Sequence, residues 1–407
     1  MTNYDGLFDK EYFGDKLNED HFSRKKLSCQ IIKNGIVLPY LEDGENLFGG
    51  VVTDKGKYID GTNVHVGVGA GYSPDIISDN SNTVIYMGTL SNIWGHCLTD
   101  DFKRLWFLKS DSYKKNFSDC PIVCTYRQKT FPENFLKLIK ILEIDFEKFQ
   151  FIDKPIKFKK IVIPDESFFL SKSKRPLGKD KLIIDGSLDN FKGNECSFFT
   201  KEYVEIIDRI RHYALKNYSP MSQKKFYFSH GKSQIGEEEL ADYFHTKGYE
   251  IIHPENLPIE EQLNILLNCE NFASAVGSIS HNIIFMRDNS NVILIPRRAS
   301  YVNIYQQALN QMRDLDIYYI DSALSIFAKY WGGPFCYIIS KNLRKHFGDD
   351  TTEEFSDSDI DKFMAYSKFA RHVNMGTVNP NEEKYLKNIL PNLMKRIRER
   401  MPFLRKN

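Results

Sequence analysis

The chain has no excess charge of either sign. Its 407 residues carry 55 Lys and Arg against 54 Asp and Glu, a net charge of +1. A strongly basic surface, the usual footprint of nucleic-acid binding, is therefore absent, and no nucleic-acid partner is expected. No apolar run approaches the roughly 18 residues that a membrane-spanning helix needs. Residues Met1–Asp5 lack the basic and apolar parts of a signal peptide. Cysteine is sparse: seven residues, an odd number in a chain this long, read as reduced thiols and a cytoplasmic setting. Cys120 and Cys124 stand four apart, with no Cys or His pair to complete a zinc site. Internal repeats and low-complexity tracts are also missing. What the chain does have is length enough for two domains, and 30 Phe and 22 Tyr to fill their cores.

Hydrophobic patterning organises that length. Short β-type runs broken by Gly and Asn (Cys29–Ile32, Gly35–Leu38, Val64–Val68) occupy the first 80 residues. Thr83–Met87 reads as a buried strand. After it, Leu98, Phe102, Leu105, Trp106 and Leu108 recur at helical spacing. Strand 121–124, helix 131–142 and strand 160–164 continue the alternation, which predicts an α/β first domain. Residues 178–194, rich in Lys, Asp and Gly, read as a connection, followed by an amphipathic helix over 200–215. A second alternation then starts: strand 226–229, helix 237–248, strand 250–252, helix 259–269, strand 272–276, helix 281–286 and strand 292–296. Short β runs separated by helices predict a parallel sheet, whose ligands bind beyond the carboxyl ends of its strands. Beyond residue 322 the pattern turns helical, clearest over 360–370 and 382–401. Expected boundaries are 1–195 for the first domain, 196–340 for the second and 341–407 for C-terminal helices.

Two segments carry the chemistry. The first is Gly95-His96-Cys97-Leu98-Thr99-Asp100-Asp101-Phe102-Lys103-Arg104-Leu105. On a helix His96 and Asp100, four apart, are neighbours, and Asp101 and Arg104 are close enough to pair. A carboxylate beside an imidazole suits proton transfer from an attacking hydroxyl. The same spacing also fits a helix start whose acids favour the positive dipole end. In the second segment, Val276 ends a strand and Gly277-Ser278-Ile279-Ser280-His281-Asn282 leads into a helix. Free N–H groups there bind phosphate, or Ser280 simply caps the helix. Ser229-His230-Gly231-Lys232, also directly after a strand, is a further candidate for the same ligand. The acidic triplets at 314–316 and 357–359 lack partners that would complete a metal site and read as structural. The basic C-terminal run, Lys395-Arg396-Ile397-Arg398-Glu399-Arg400, reads as a solvated helix face or as attraction to an anionic membrane surface.

In these segments the chain resembles glycosyltransferase family 61. The family's H-x-x-x-D-[DE]-x-x-R motif is matched by His96, Asp100, Asp101 and Arg104, with Lys103 where Pro is usual. Its second-domain pattern is matched by Ser229-His230, Gly236–Glu239, Gly248–Glu255, Glu261-Gln262 and Gly277 to Phe285. His230 stands where the family has Arg, and Val276 where its turn has His. The resemblance covers about residues 85–108 and 224–297. It implies a GT-B architecture, two Rossmann-like domains facing a cleft, with the C-terminal helices packing back on the first domain. It also implies an inverting transfer from a nucleotide-sugar donor, typically UDP-linked, without a bound metal or other cofactor. A glycan or lipid-linked glycan would accept the sugar, in surface polysaccharide synthesis, in the cytoplasm or at the inner face of the membrane. On this reading Asp100 is the general base, with Asp101 the alternative, and His96 orients it or contacts the acceptor. Gly277, Ser278, Ser280, His281 and Asn282 line the diphosphate site. Ser229 and Lys232 approach it, and Glu261 holds ribose or sugar hydroxyls. An epimerase of the same shape, or a non-catalytic carbohydrate-binding scaffold, fits the same pattern.

Overall fold

The computed structural model describes residues 2–5, 19–43, 46–62, 64–65, 69–172, 195–230, 234–297, 303–325, 333–349, 355–372, 393 and 395. It is an α/β structure with one mixed and one parallel sheet. A first strand, β1 (Thr2–Asp5), is taken up by the second sheet. The next seven build the first: β2 (Cys29–Lys33), β3 (Ile36–Asp43), β4 (Asn46–Val52), β5 (Ser78–Leu90), β6 (Ile122–Tyr126), β7 (Phe149–Phe151) and β8 (Ile156–Pro164). Their order is β4-β3-β8-β5-β6-β7, with β2 also beside β8. β5, β6, β7 and β8 run parallel, while β2, β3 and β4 are antiparallel additions. From Val84 to Leu90 every residue of β5 is buried, as a central strand covered on both faces requires. The Gly- and Asn-broken runs at the start of the chain are these antiparallel strands, so the first sheet is mixed. The expected strand at 64–68 falls largely outside the described residues.

A hairpin-like pair, β9 (Phe168–Lys172) and β10 (Glu195–Phe199), follows. The second sheet comprises β11 (Lys225–Phe228), β12 (Glu250–Ile252), β13 (Asn271–Ala275), β14 (Ser290–Ile295) and β15 (Leu315–Ile320), in the order β1-β15-β14-β13-β11-β12. All its pairings are parallel. The sequence direction of neighbouring strands reverses between β11 and β13. That is a topological switch point, where the connections diverge and leave a crevice beyond the carboxyl ends. The loop after Ser229 and the turn at Gly277 both start there.

One buried cluster runs through both sheets. Helix Lys201–Lys216 lies within it, burying Tyr203, Ile206, Ile207, Ile210 and Ala214 on one face at helical spacing. Two features depart from expectation. β1, placed by sequence in the first domain, extends the second sheet, with Thr2 opposite Ile317. The second is helix Asp357–His372, expected against the first domain. It docks on helix Glu237–Thr246, where Lys362 pairs with Glu239 and Ser358 donates to the same carboxylate at 3.1 Å. Most of the expected helix at 382–401 lies outside the described residues. Among the described residues no helix is long and apolar enough to cross a membrane.

Candidate active site

The segment after β5 is not the single helix its spacing predicts. Trp94–His96 forms one turn, Cys97–Asp101 widens into a π turn, Phe102–Arg104 tightens to 3₁₀, and Leu105–Leu108 resumes the α form. Such π turns recur at functional sites because they shift side chains off the regular helical lattice. Here Asp100, Asp101, Lys103 and Arg104 are all buried. Arg104 does not pair with Asp101. It donates from Nε to the Pro164 carbonyl (3.0 Å), also reaches the Gly61 carbonyl, and meets Glu166 at 3.2 Å, tying the segment to the end of β8.

His96 Nδ1 lies 2.7 Å from Asp100 Oδ2 and donates to it. The His96 side chain is 28% exposed and that of Asp100 only 1%. Burial opposes ionisation of Asp100, but the His96 hydrogen bond and the surrounding positive charges outweigh it and hold the carboxyl well below the usual range. Its neighbour behaves oppositely. Burial, reinforced by the charge on Asp100, pushes Asp101 well above the usual carboxylate range. Asp101 accepts from the Ser91 N–H at 3.2 Å. Two adjacent buried acids are thereby driven apart, one toward the ionised and the other toward the protonated form, a pattern typical of divided roles.

His65 completes the cluster. Its ring stacks on His96 with centroids 4.4 Å apart, and its Nδ1 is 3.9 Å from Asp100 Oδ2. Burial, more than neighbouring charges, pushes it down to about 3. The ligand atoms of His65, His96 and Asp100 all lie within 4.8 Å of one another, a spacing that would suit a metal ion. The hydrogen bonds do not suit one. Arg127 Nη1 is 2.6 Å from His65 Nε2. Arginine can only donate, so Nε2 accepts and the ring proton sits on Nδ1, the atom facing Asp100. The His96 nitrogen facing Asp100 is likewise occupied by its own proton.

The second motif comes into contact with the first. Gly95 packs so closely on the Gly277 turn that a Cβ there would come within 2.7 Å of Ser278 Oγ and 3.2 Å of His281 Nδ1. Trp94 Nε1 donates to Asn282 Oδ1 at 2.9 Å. His281 is 5% exposed with neither ring nitrogen hydrogen-bonded, and burial pushes it down to about 3, helped by the charges of His96 and Arg297. Ser280 is wholly buried and bonded within the turn to Gly277 and to Gln306. Ser278 and Asn282 border a cavity of about 710 Å³. Trp94, Pro132, Asn134 and Lys137 close it from the first-sheet side, and His230, Pro254, Leu257 and Gln262 from the second. Ser229 donates its hydroxyl to Glu237 at 2.9 Å, inside the fold. Glu261 is exposed and does not line the cavity, whereas the adjacent Gln262 does, bracing the loop through the Pro254 and Leu257 carbonyls. Lys232 lies outside the described residues. His65, Arg127 and Arg297 have no counterpart in the sequence reading. Arg127 and Arg297 follow closely on the ends of β6 and β14, a position in parallel sheets that signals a ligand site; His65 carries no such local signal.

The model of the family Glycosyltransferase 61 matches residues 94–293, which hold both motifs and the junction between them. Over these residues the chain is a family 61 glycosyltransferase. No curated protein matches this glycosyltransferase. Two similar solved structures are of TibC: the dodecameric iron-containing heptosyltransferase in complex with ADP-D-beta-D-heptose, and the bacterial iron-containing dodecameric glycosyltransferase from enterotoxigenic E. coli H10407. The first is 13% identical and covers 67% of this chain and 78% of that one, with a TM-score of 0.25. The second is 12% identical and covers 68% and 79%, with a TM-score of 0.25. Likeness at that level carries no further conclusion.

Proposed function

We propose that this glycosyltransferase moves a sugar, with inversion, from a UDP-linked donor to a hydroxyl of a glycan or lipid-linked glycan. The observation that carries the reading is the junction at Gly95. It sets the His96–Asp100 pair of one sheet against the Gly277–Asn282 turn of the other, beside a cavity of about 710 Å³. That volume suits a nucleotide-sized ligand. The arrangement supports a GT-B enzyme with the acceptor side in residues 1–195, apart from β1, and the donor side in 196–340.

The roles within the pair are the reverse of those read from sequence. Asp100 is buried and strongly ionised, a poor and inaccessible base. His96 is reachable, and its Nδ1–H is held by Asp100, which leaves Nε2 to accept a proton. The acceptor oxygen attacks the anomeric carbon opposite the leaving group, and its proton passes to His96 Nε2. As the new C–O bond forms, the bond to the phosphate oxygen breaks and its electron pair leaves with the nucleoside diphosphate. Asp100 stabilises the imidazolium that results. The hydrogen-bond pattern around His65 supports a reaction without metal, its leaving-group charge met by N–H groups and cations of the protein. The setting proposed is surface polysaccharide synthesis in the cytoplasm, with the basic C-terminal run touching the membrane surface.

The test is release of nucleoside diphosphate from a panel of nucleotide sugars, with surface-glycan acceptors, after exhaustive dialysis against EDTA. Acceptor-dependent release from a UDP-sugar is expected, with the product anomer inverted by NMR. Activity lost on dialysis and restored by manganese or magnesium would remove the metal-free mechanism. Interconversion of the donor without acceptor would turn the reading into an epimerase.

A further inference from the structure

Arg297 stands just past the carboxyl end of β14, on the edge of the sheet that holds the switch point. Its guanidinium lies against the α-carbon of Gly277: a Cβ on that residue would fall 1.9 Å from Nη2 and 2.5 Å from Cζ. It also lies over the Phe335 ring, 5.2 Å from the centroid. Among the described residues no carboxylate answers this charge. Arg297 forms no ion pair among the described residues, and its Nε is buried without a hydrogen-bond partner. Two acids at the same edge of the sheet are otherwise engaged or neutralised. Glu237 accepts from Tyr227 and Ser229, and burial raises it toward the protonated form. Asp321, just past β15, is buried and pushed up to about 7 by that burial. Beside Arg297 lies His281, nine-tenths buried, uncharged and with both ring nitrogens unpartnered.

A half-buried cation without a counter-charge is costly to the folded chain unless a counter-ion arrives. Arginine cannot relieve that cost by losing its proton, and its planar fork matches two phosphate oxygens. Gly277 is what allows the fork to lie flat against the turn, since any side chain would displace it. We infer that Arg297 binds the donor's diphosphate and holds it as it leaves, with His281 supplying a neutral ring donor. The inference rests on the transfer reading for its ligand, and on geometry alone for the anion site.

Inorganic pyrophosphate and UDP, titrated calorimetrically, are the probes, with uridine as the control that lacks phosphate. Wild type should bind pyrophosphate. Arg297→Gln should bind pyrophosphate and UDP at least about tenfold more weakly, a loss of about 1.4 kcal/mol, with uridine unchanged. Arg297→Lys, which keeps the charge but not the fork, should fall between. The melting temperature of Arg297→Gln should hold or rise, because an unpaired charge has been removed. Wild-type pyrophosphate binding by either variant, or none by wild type, overturns the inference. Arg297-dependent pyrophosphate binding with no turnover of any nucleotide sugar sinks the transfer reading alone. Turnover with diphosphate binding indifferent to Arg297 sinks this inference alone.

Discussion

His96 and Asp100 share one hydrogen bond but not one environment, and the difference in exposure divides their work. The carboxylate is shielded, ionised and aimed at the imidazole; in the proposed transfer the imidazole keeps one nitrogen for the acceptor. His96→Gln should therefore lower kcat by about 10²–10⁴-fold with little change in KM for the donor. Asp100→Asn should lower kcat in the same direction. The double variant should be no worse than His96→Gln alone, because the two act as a unit. Asp101→Asn should cost far less, since burial and the Asp100 charge already push Asp101 toward its neutral form and its amide analogue keeps the Ser91 contact. Steady-state kinetics on the four variants decide it. A dead Asp100→Asn beside an active His96→Gln would return the role of base to the carboxylate.

Among the elements, helix Asp357–His372 shows how far local pattern reaches. Its periodicity and acidic first turn foretell a helix, but not which surface covers it. The structure sets it on helix Glu237–Thr246, which carries the Glu237 that braces Ser229. Ile360 and Phe363 are buried in the process. Burying two such side chains contributes about 3–6 kcal/mol, a large part of the roughly 5–15 kcal/mol by which a protein is stable. Removing the chain from Thr351 onward should lower the urea midpoint sharply and weaken UDP binding through the loosened switch-point edge. An unchanged midpoint would mean that this helix does not support the second sheet.

At the scale of the whole molecule, stability is coupled to pH through the junction between the sheets. His65 and His281 are held near 3 in the folded state, below their ordinary 6.5. Between those values the unfolded chain binds protons that the folded chain refuses. Stability from each is thus present above about 6.5 and drains as pH falls toward 3, by up to about 1.4 kcal/mol per pH unit. Asp101, Glu237 and Asp321, all raised, contribute with the opposite sign. A comparison with a variant isolates the histidine. Between pH 7 and pH 5, His281→Leu should lose about 2 kcal/mol less stability than wild type, measured by urea unfolding. Equal losses would show that His281 takes up its proton in the folded protein.

Four of the six strands of the second sheet were legible in the sequence, β1 and β15 being the exceptions. Phe226–Phe228, Glu250–Ile252, Phe272–Ala275 and Val292–Ile295 are strands as their apolar runs foretell, and the turn after Ala275 begins where the small residues begin. These signals survive because hydrophobic periodicity reports on neighbours two to four residues away, the range over which a strand or helix is built. The motif spacings, and with them the family, are equally local. What the sequence could not hold was everything decided by contact between distant residues. β1 joins β15 across most of the chain, the helix after β5 breaks into a π turn, and Gly95 meets Ser278. The His96 hydrogen bond and nearby positive charge then separate Asp100 from Asp101, whose burial they do not offset, although the two are adjacent and chemically identical. Arg127 sets the proton of His65 from just past β6, and Arg297 gains its place from a glycine twenty residues earlier. Backbone pattern is a property of the segment, whereas burial, and the charge state that follows from it, belongs to the packed molecule.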